Sequence, residues 1–105
     1  MNWFYLILAG IFEIGWPLGL KLSQTIPSKI SGILIAVISM SLSGVFLWLA
    51  QKTIPIGTAY AVWTGIGAIG TLLIGIFYFG DSASFWRMFS ALLIVIGIVG
   101  LKLAN

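Results

Sequence analysis

The chain has 105 residues, 61% of them hydrophobic and only 7% charged, with a mean hydropathy of +1.20. An ordinary soluble domain carries about 25% charged residues, so this chain cannot cover a globular surface with polar groups and lipid must be its solvent. The net charge of +3 comes from five scattered basic residues, which excludes the clustered basic face of a nucleic-acid binder, while the lack of cysteine and histidine excludes disulfides and the commonest soft-metal ligands.

The first apolar run, Trp3 to Leu20, has 18 residues. As a helix it crosses about 27 Å at 1.5 Å per residue, close to the thickness of a hydrocarbon core. It has no basic region before it and no small-residue cleavage pattern after it, so it reads as a first transmembrane helix rather than a signal peptide. Lys21 and Lys29 bracket a polar link, Ser23-Gln24-Thr25-Ile26-Pro27-Ser28, whose proline and hydroxyls mark a loop. Ile30 to Gln51 gives 22 uncharged residues and a second span. After Lys52 comes a tight connection in which Pro55 suits a turn or a helix start. Thr53 to Gly80 is 28 residues without charge, a third span with length to spare for tilt. Gly80 suits a helix C-cap, and Asp81, Ser82 and Ser84 supply N-cap side chains. The last span takes in Phe85–Leu103, 19 residues, with Arg87 and Lys102 snorkelling to the two interfaces. Residues 1–105 therefore read as one all-α membrane domain of four transmembrane helices, at about 3–20, 30–51, 56–79 and 85–103, with no extramembrane lobe.

An enzyme needs a soluble lobe or convergent polar groups, and this chain offers neither. Gly15-Trp16-Pro17-Leu18-Gly19 is no phosphate loop, since it lies in an apolar span and lacks the following Lys-Ser/Thr. The outstanding residue is Glu13, one of two acids, which falls near the middle of the first span. A carboxylate at the bilayer midplane costs roughly 2.5–3.5 kcal/mol on insertion scales and marks a functional site by default.

With the N-terminus inside, Lys52 and Lys102 lie inside and Lys21, Lys29 and Arg87 outside. The positive-inside rule has almost no asymmetry to act on. Either the chain has too few charges to read, or it inserts both ways round and forms antiparallel dimers. Four thin helices cannot enclose a solute cavity and still bury a carboxylate, which favours the second reading. An inverted pair would also build the symmetry that transporters otherwise obtain from inverted repeats.

Residues three and four from Glu13 share its side of the helix: Ala9, Gly10, Trp16 and Pro17. Small residues allow close helix approach, Trp16 supplies an aromatic wall, and Pro17 removes the N–H that would pair the Glu13 carbonyl. On the third span Tyr60, Trp63, Thr64 and Gly67 fall on one side, followed by glycines suited to close packing or bending. Tyr78 and Trp86 read as interface-belt aromatics. Ser39, Ser41 and Ser43 lie on the second span; each can bond its own helix, one can reach Glu13, and spacing does not choose between them. Gly97 and Gly100 on the fourth span suit a helix–helix interface. An acid boxed by aromatic rings within about 6 Å is a cation site.

These residues resemble the small multidrug resistance family of four-helix transporters, and within it the guanidinium exporters. The likeness rests on Ala9-Gly10-Ile11-Phe12-Glu13 with Trp16, on Gly19-Leu20-Lys21, on Leu49 to Pro55, and most specifically on Pro55-Ile56-Gly57-Thr58-Ala59-Tyr60-Ala61-Val62-Trp63-Thr64-Gly65-Ile66-Gly67-Ala68; Gly97 to Lys102 also fits. The resemblance implies a multi-pass protein of the bacterial inner membrane, an antiparallel dual-topology homodimer without cofactor or metal. It implies that both copies of Glu13 share one site for protons and a cationic substrate, that Trp16, Tyr60 and Trp63 line it, and that Ser43 is the serine facing Glu13. Some family members are heterodimers, but the balanced charges argue against the need for a second kind of subunit. Two features depart from the pattern: Pro17 stands where a small residue such as Ala is usual, and Gln24-Thr25-Ile26-Pro27 replaces a glycine-containing loop. The expected activity is proton-coupled antiport of guanidinium or small guanidinyl cations. The alternatives are export of bulky quaternary ammonium cations, or a passive membrane subunit in which Glu13 only pairs helices.

Overall fold

A computed structural model of the chain describes residues 2–25 and 27–104; Ile26 of the first link and the terminal Met1 and Asn105 lie outside the described residues. The apolar runs form four helices, α1 (Asn2–Thr25), α2 (Lys29–Ala50), α3 (Ile56–Phe77) and α4 (Phe85–Ala104), each long and apolar enough to cross a membrane. No strand occurs among the described residues.

The helix bounds follow local chemistry. α1 runs five residues past Leu20, because the hydroxyls of its polar end bond backward into the helix instead of building a loop. Ser23 Oγ donates to the Leu20 carbonyl at 2.6 Å and Thr25 Oγ1 to that of Lys21 at 3.2 Å. Pro55 occupies the N-cap position of α3, and its carbonyl accepts the Ala59 N–H at 2.9 Å. α3 ends at Phe77, two residues short of Phe79. Gly80 then adopts φ +75°, and the chain turns back so that the Asp81 N–H meets the Gly75 carbonyl at 2.9 Å. Ser84 caps α4, its Oγ accepting the Arg87 N–H at 3.4 Å.

Helix order in space is α2, α1, α3, α4, with α1 packed on both α2 and α3, and α4 packed chiefly on α3. The Cα atoms fill a slab of 45 × 34 × 17 Å, too thin to wrap a solute. Small residues make the contacts. Gly19 and Gly32 bring α1 and α2 together backbone to backbone: a Cβ on Gly19 would stand 2.6 Å from the Gly32 carbonyl oxygen, and one on Gly32 2.5 Å from the Ser23 nitrogen. Toward the other end Phe46 of α2 stacks on both Tyr5 and Phe12 of α1, at 6.0 and 5.8 Å between ring centres.

α3 uses its glycines on two sides. Gly65 receives Ile98 and Ile94 of α4, while Gly67 and Gly70 receive Glu13 and Ile14 of α1. Two residues along a helix turn it by about 200°, so Gly65 and Gly67 face nearly opposite ways and α3 can be closely packed on both. Gly97 and Gly100 meet nothing within 4 Å. The fourth helix thus joins its own chain through isoleucines rather than through that small-residue face, contrary to the simplest use of the two glycines.

Burial is concentrated at one end, where Leu6, Ala50, Ile54, Ala59 and Val62 form the core, ringed by Trp3, Tyr5, Leu47, Trp63, Ile66 and Ile98. At this end Lys102 sits over the Trp3 ring and Lys52 over that of Trp48, and Asn2 hydrogen-bonds Thr53. Lys21, Asp81 and Arg87 lie at the other end, as an up-and-down order of spans requires.

The Gly19–Gly32 contact yields a stability prediction. Gly32→Ala should lose about 1–3 kcal/mol, the usual cost of overpacking a fitted contact, in denaturation measured in detergent. Gly57→Ala, where a Cβ meets nothing within 4 Å, should match or slightly exceed the parent, since alanine is the better helix former.

Candidate functional site

Glu13 lies at the ridge where α1 faces both of its neighbours. At about 100° per residue, Gly10 and Pro17 fall about 40–60° to one side of it and Ala9 and Trp16 equally far to the other. The packing divides along that line. Gly10 meets Ile66 of α3 and Pro17 lines an α1–α3 cleft, whereas the Ala9 carbonyl meets α2 and Trp16 lines a shallow cleft beside Ile33, Ala36 and Met40 of α2. The residues that share Glu13's side in sequence thus serve two different helix seams.

The Glu13 side chain leans toward α3 and rests on Gly67. A Cβ at Gly67 would stand 2.5 Å from Glu13 Cγ, so no other residue type leaves the acid in this position. Glu13 Oε1 is buried and has no hydrogen-bond partner among the described residues. A buried acceptor left unpaired costs about 1–3 kcal/mol, more for a charged group. The nearest basic residue along α1, Lys21, is about 12 Å up the helix. This oxygen has acceptor capacity that no other described residue uses. α1 continues as one helix through Pro17, whose ring nitrogen cannot donate to the Glu13 carbonyl.

Ser43 is fully buried, 0% exposed, and all its visible bonds are structural. Its hydroxyl donates to the Ala9 carbonyl at 2.7 Å and accepts the Trp63 indole N–H at 2.8 Å. It therefore joins three helices and fixes the Trp63 ring, and it makes no hydrogen bond to Glu13. Tyr60 packs on Trp63 with ring centres 5.4 Å apart and is 57% exposed. Ser39 instead approaches Gly15 of α1, and Ser41 back-bonds to the Val37 carbonyl at 2.8 Å. Within one chain, then, Ser43, Trp63 and Tyr60 form a cluster, Glu13 sits beside it on Gly67, and Trp16, 36% exposed, lies apart on the α2 side.

Two participants were not singled out in the sequence as partners of the site: Gly67 as the seat of the acid, and the Ala9 carbonyl as the acceptor of Ser43. Gly67 did carry a signal, since it closes the Tyr60–Trp63–Thr64 stripe at i+7. A main-chain carbonyl carries none. Among the described residues no group of three acidic or metal-ligating side chains could hold a metal ion.

The family described as Small Multidrug Resistance protein matches residues 1–94. A protein of Yersinia pseudotuberculosis serotype I (strain IP32953) named "Guanidinium exporter" is 48% identical over 105 residues, covering 100% of both chains. Proteins of the same name from Proteus vulgaris and from Escherichia coli (strain K12) are each 46% identical over 105 residues, covering all of this chain and 100% and 99% of theirs.

The Ser43 junction leads to a measurable expectation. Ser43→Ala should cost roughly 1–3 kcal/mol in unfolding, because it leaves the Trp63 indole N–H and its neighbours inside the bundle without their partner. Ser41→Ala, whose hydroxyl only back-bonds within α2, should change stability by about 0.5 kcal/mol or less in the same assay.

Proposed function

The chain belongs to the small multidrug resistance family, and from that footing we propose that it is a proton-coupled antiporter exporting guanidinium or small guanidinyl cations. It is a multi-pass protein of the bacterial inner membrane, with four membrane-spanning helices and relatives from bacteria. The observation that carries the proposal is the state of Glu13: a carboxyl inside a membrane helix bundle, seated on Gly67, with an oxygen that no other described residue satisfies. Such a group suits a visiting proton or cation better than it suits a structural pair.

Two copies packed antiparallel as a dual-topology homodimer complete the site in this reading. The slab is 17 Å thick and leaves Tyr60 and Trp16 open on its surface, which supports a partner of the same kind. The two Glu13 carboxyls then share one chamber, and they titrate as a coupled pair rather than as two independent acids. A planar guanidinium with forked donors pairs bidentately with a carboxylate, and its faces stack on Tyr60, Trp63 and Trp16. Ser43 holds the Trp63 ring in place by accepting its indole N–H. Protons and the cation compete for the same oxygens, so a proton arriving from outside releases the cation there. An antiparallel pair has near-equivalent inward- and outward-facing states by symmetry, which makes the exchange between them nearly level in energy. The names of the relatives support guanidinium over bulky quaternary ammonium ions.

Proteoliposomes test the reading. The wild-type protein should move guanidinium against an opposing proton gradient and move it faster than tetraethylammonium. Glu13→Gln should lower that flux by about a hundredfold or more, the size expected for losing charge-assisted hydrogen bonds at both copies, while cross-linking still detects the dimer. Exchange at wild-type rates in Glu13→Gln would reject the mechanism, and equal or faster tetraethylammonium flux would reject the substrate class.

A further inference from the structure

The second acid of the chain, Asp81, has no part in the site so far, and the structure puts it at the mouth of a cleft. The cleft, about 260 Å³, lies between α1 and α3 at the end away from the core, and Pro17, Lys21, Thr71, Gly75 and Asp81 are among its walls. Their spacing is orderly. On α1, Glu13, Pro17 and Lys21 follow one another at one-turn intervals; on α3, Gly67, Thr71 and Gly75 do the same. Since Glu13 rests on Gly67, the next turns outward on both helices are the cleft itself. The cleft begins one turn beyond the acid, on the side toward the membrane surface.

Asp81 is held at this opening by the backbone. The left-handed Gly80 turns the chain back, the Asp81 N–H bonds the Gly75 carbonyl at 2.9 Å, and the Asp81 carboxylate lies over Gly75 where any Cβ would collide with it. Gly75 is therefore what lets the acid lean into the cleft. Lys21 shares the same walls, so the mouth carries one charge of each sign.

We propose that the α1–α3 cleft is a vestibule through which a small organic cation reaches Glu13, with Asp81 drawing the cation to the mouth and Lys21 opposing it as a tethered competitor. Thr71, one turn from Gly67, offers a hydroxyl on the way. The proposal rests on the reading of Glu13 as the cation site and extends it to the path.

The test uses a thiol, because the chain has no cysteine and Thr71→Cys supplies a single nearly isosteric one within the cleft. In proteoliposomes of the full chain at low ionic strength, its modification is timed with a cationic and an anionic methanethiosulfonate reagent of similar size. The ratio of the two rates cancels any change in the thiol's own ionisation. Adding Asp81→Asn should lower the cationic-to-anionic ratio about tenfold, the effect of removing one unit charge some 6 Å away in water. Asp81→Glu should keep the ratio and Lys21→Gln should raise it, and about 0.5 M salt should erase these differences. An unreactive thiol, or a ratio in Asp81→Asn within about twofold of the parent Thr71→Cys, overturns the vestibule.

Guanidinium uptake by the same charge variants without the added cysteine gives a second measure. Asp81→Asn should raise KM about threefold at low salt with the change confined to KM, as expected for weaker capture of a cation. A fall in kcat with KM unchanged would make Asp81 a structural residue and overturn the proposal. Protein that labels as expected but moves no guanidinium would keep the vestibule and refute the antiporter. Transport without charge-selective labelling would refute the vestibule alone.

Discussion

In lipid, burying apolar side chains between helices gains little, because acyl chains are as apolar as leucine. Helices must then be held by close fit and by the few polar groups that find one another. Here the fit is made by glycine: Gly19 on Gly32 between α1 and α2, Gly10 under Ile66, Gly67 under Glu13 and Gly70 under Ile14 between α1 and α3, and Gly65 under Ile98 between α3 and α4. The polar part is smaller. Among the described residues Ser43 ties α1, α2 and α3, through one carbonyl and one indole. Removing the glycines would spread the slab, and the acid would lose both its seat and its distance from lipid.

The four spans were legible because length and hydropathy alone decide whether a helix crosses a bilayer. Glu13 was legible for the same reason, as an acid in a place where acids are expensive. The assignment of faces was harder. Ala9, Gly10, Trp16 and Pro17 share one side of α1 by periodicity, yet α1 is wedged between two helices and the side splits into two seams. Periodicity gives an angle around a helix and does not say which neighbour stands there. The same limit applies to Gly97 and Gly100, a face that no described residue of the chain covers, and to Ser43, whose acceptor is a main-chain oxygen. The extension of α1 to Thr25 depended on hydroxyls that close on their own helix, a choice that composition leaves open between loop and helix end.

The two ends of the molecule differ in a way that suits its chemistry. One end holds the core, with two lysines caught over indole rings and a side-chain bond between Asn2 and Thr53. The other has the α1–α3 cleft and the acid turned into it. Glu13 lies between them along α1, one turn from Pro17 of the cleft wall. A bundle packed evenly throughout would isolate such a carboxyl, and one loose throughout would leave it to lipid.

The meeting of Gly19 with Gly32 also sorts the joints by stiffness. Backbone pressed on backbone has no rotamers to give, so α1 and α2 neither slide nor roll past each other and behave as a single plank, further locked by Phe46 between Tyr5 and Phe12. Across the α1–α3 seam the contacts are instead made by side chains, those of Ile66, Glu13 and Ile14, each lodged in a glycine notch. Any rocking that re-aims the acid is therefore borne more easily at that seam than between α1 and α2.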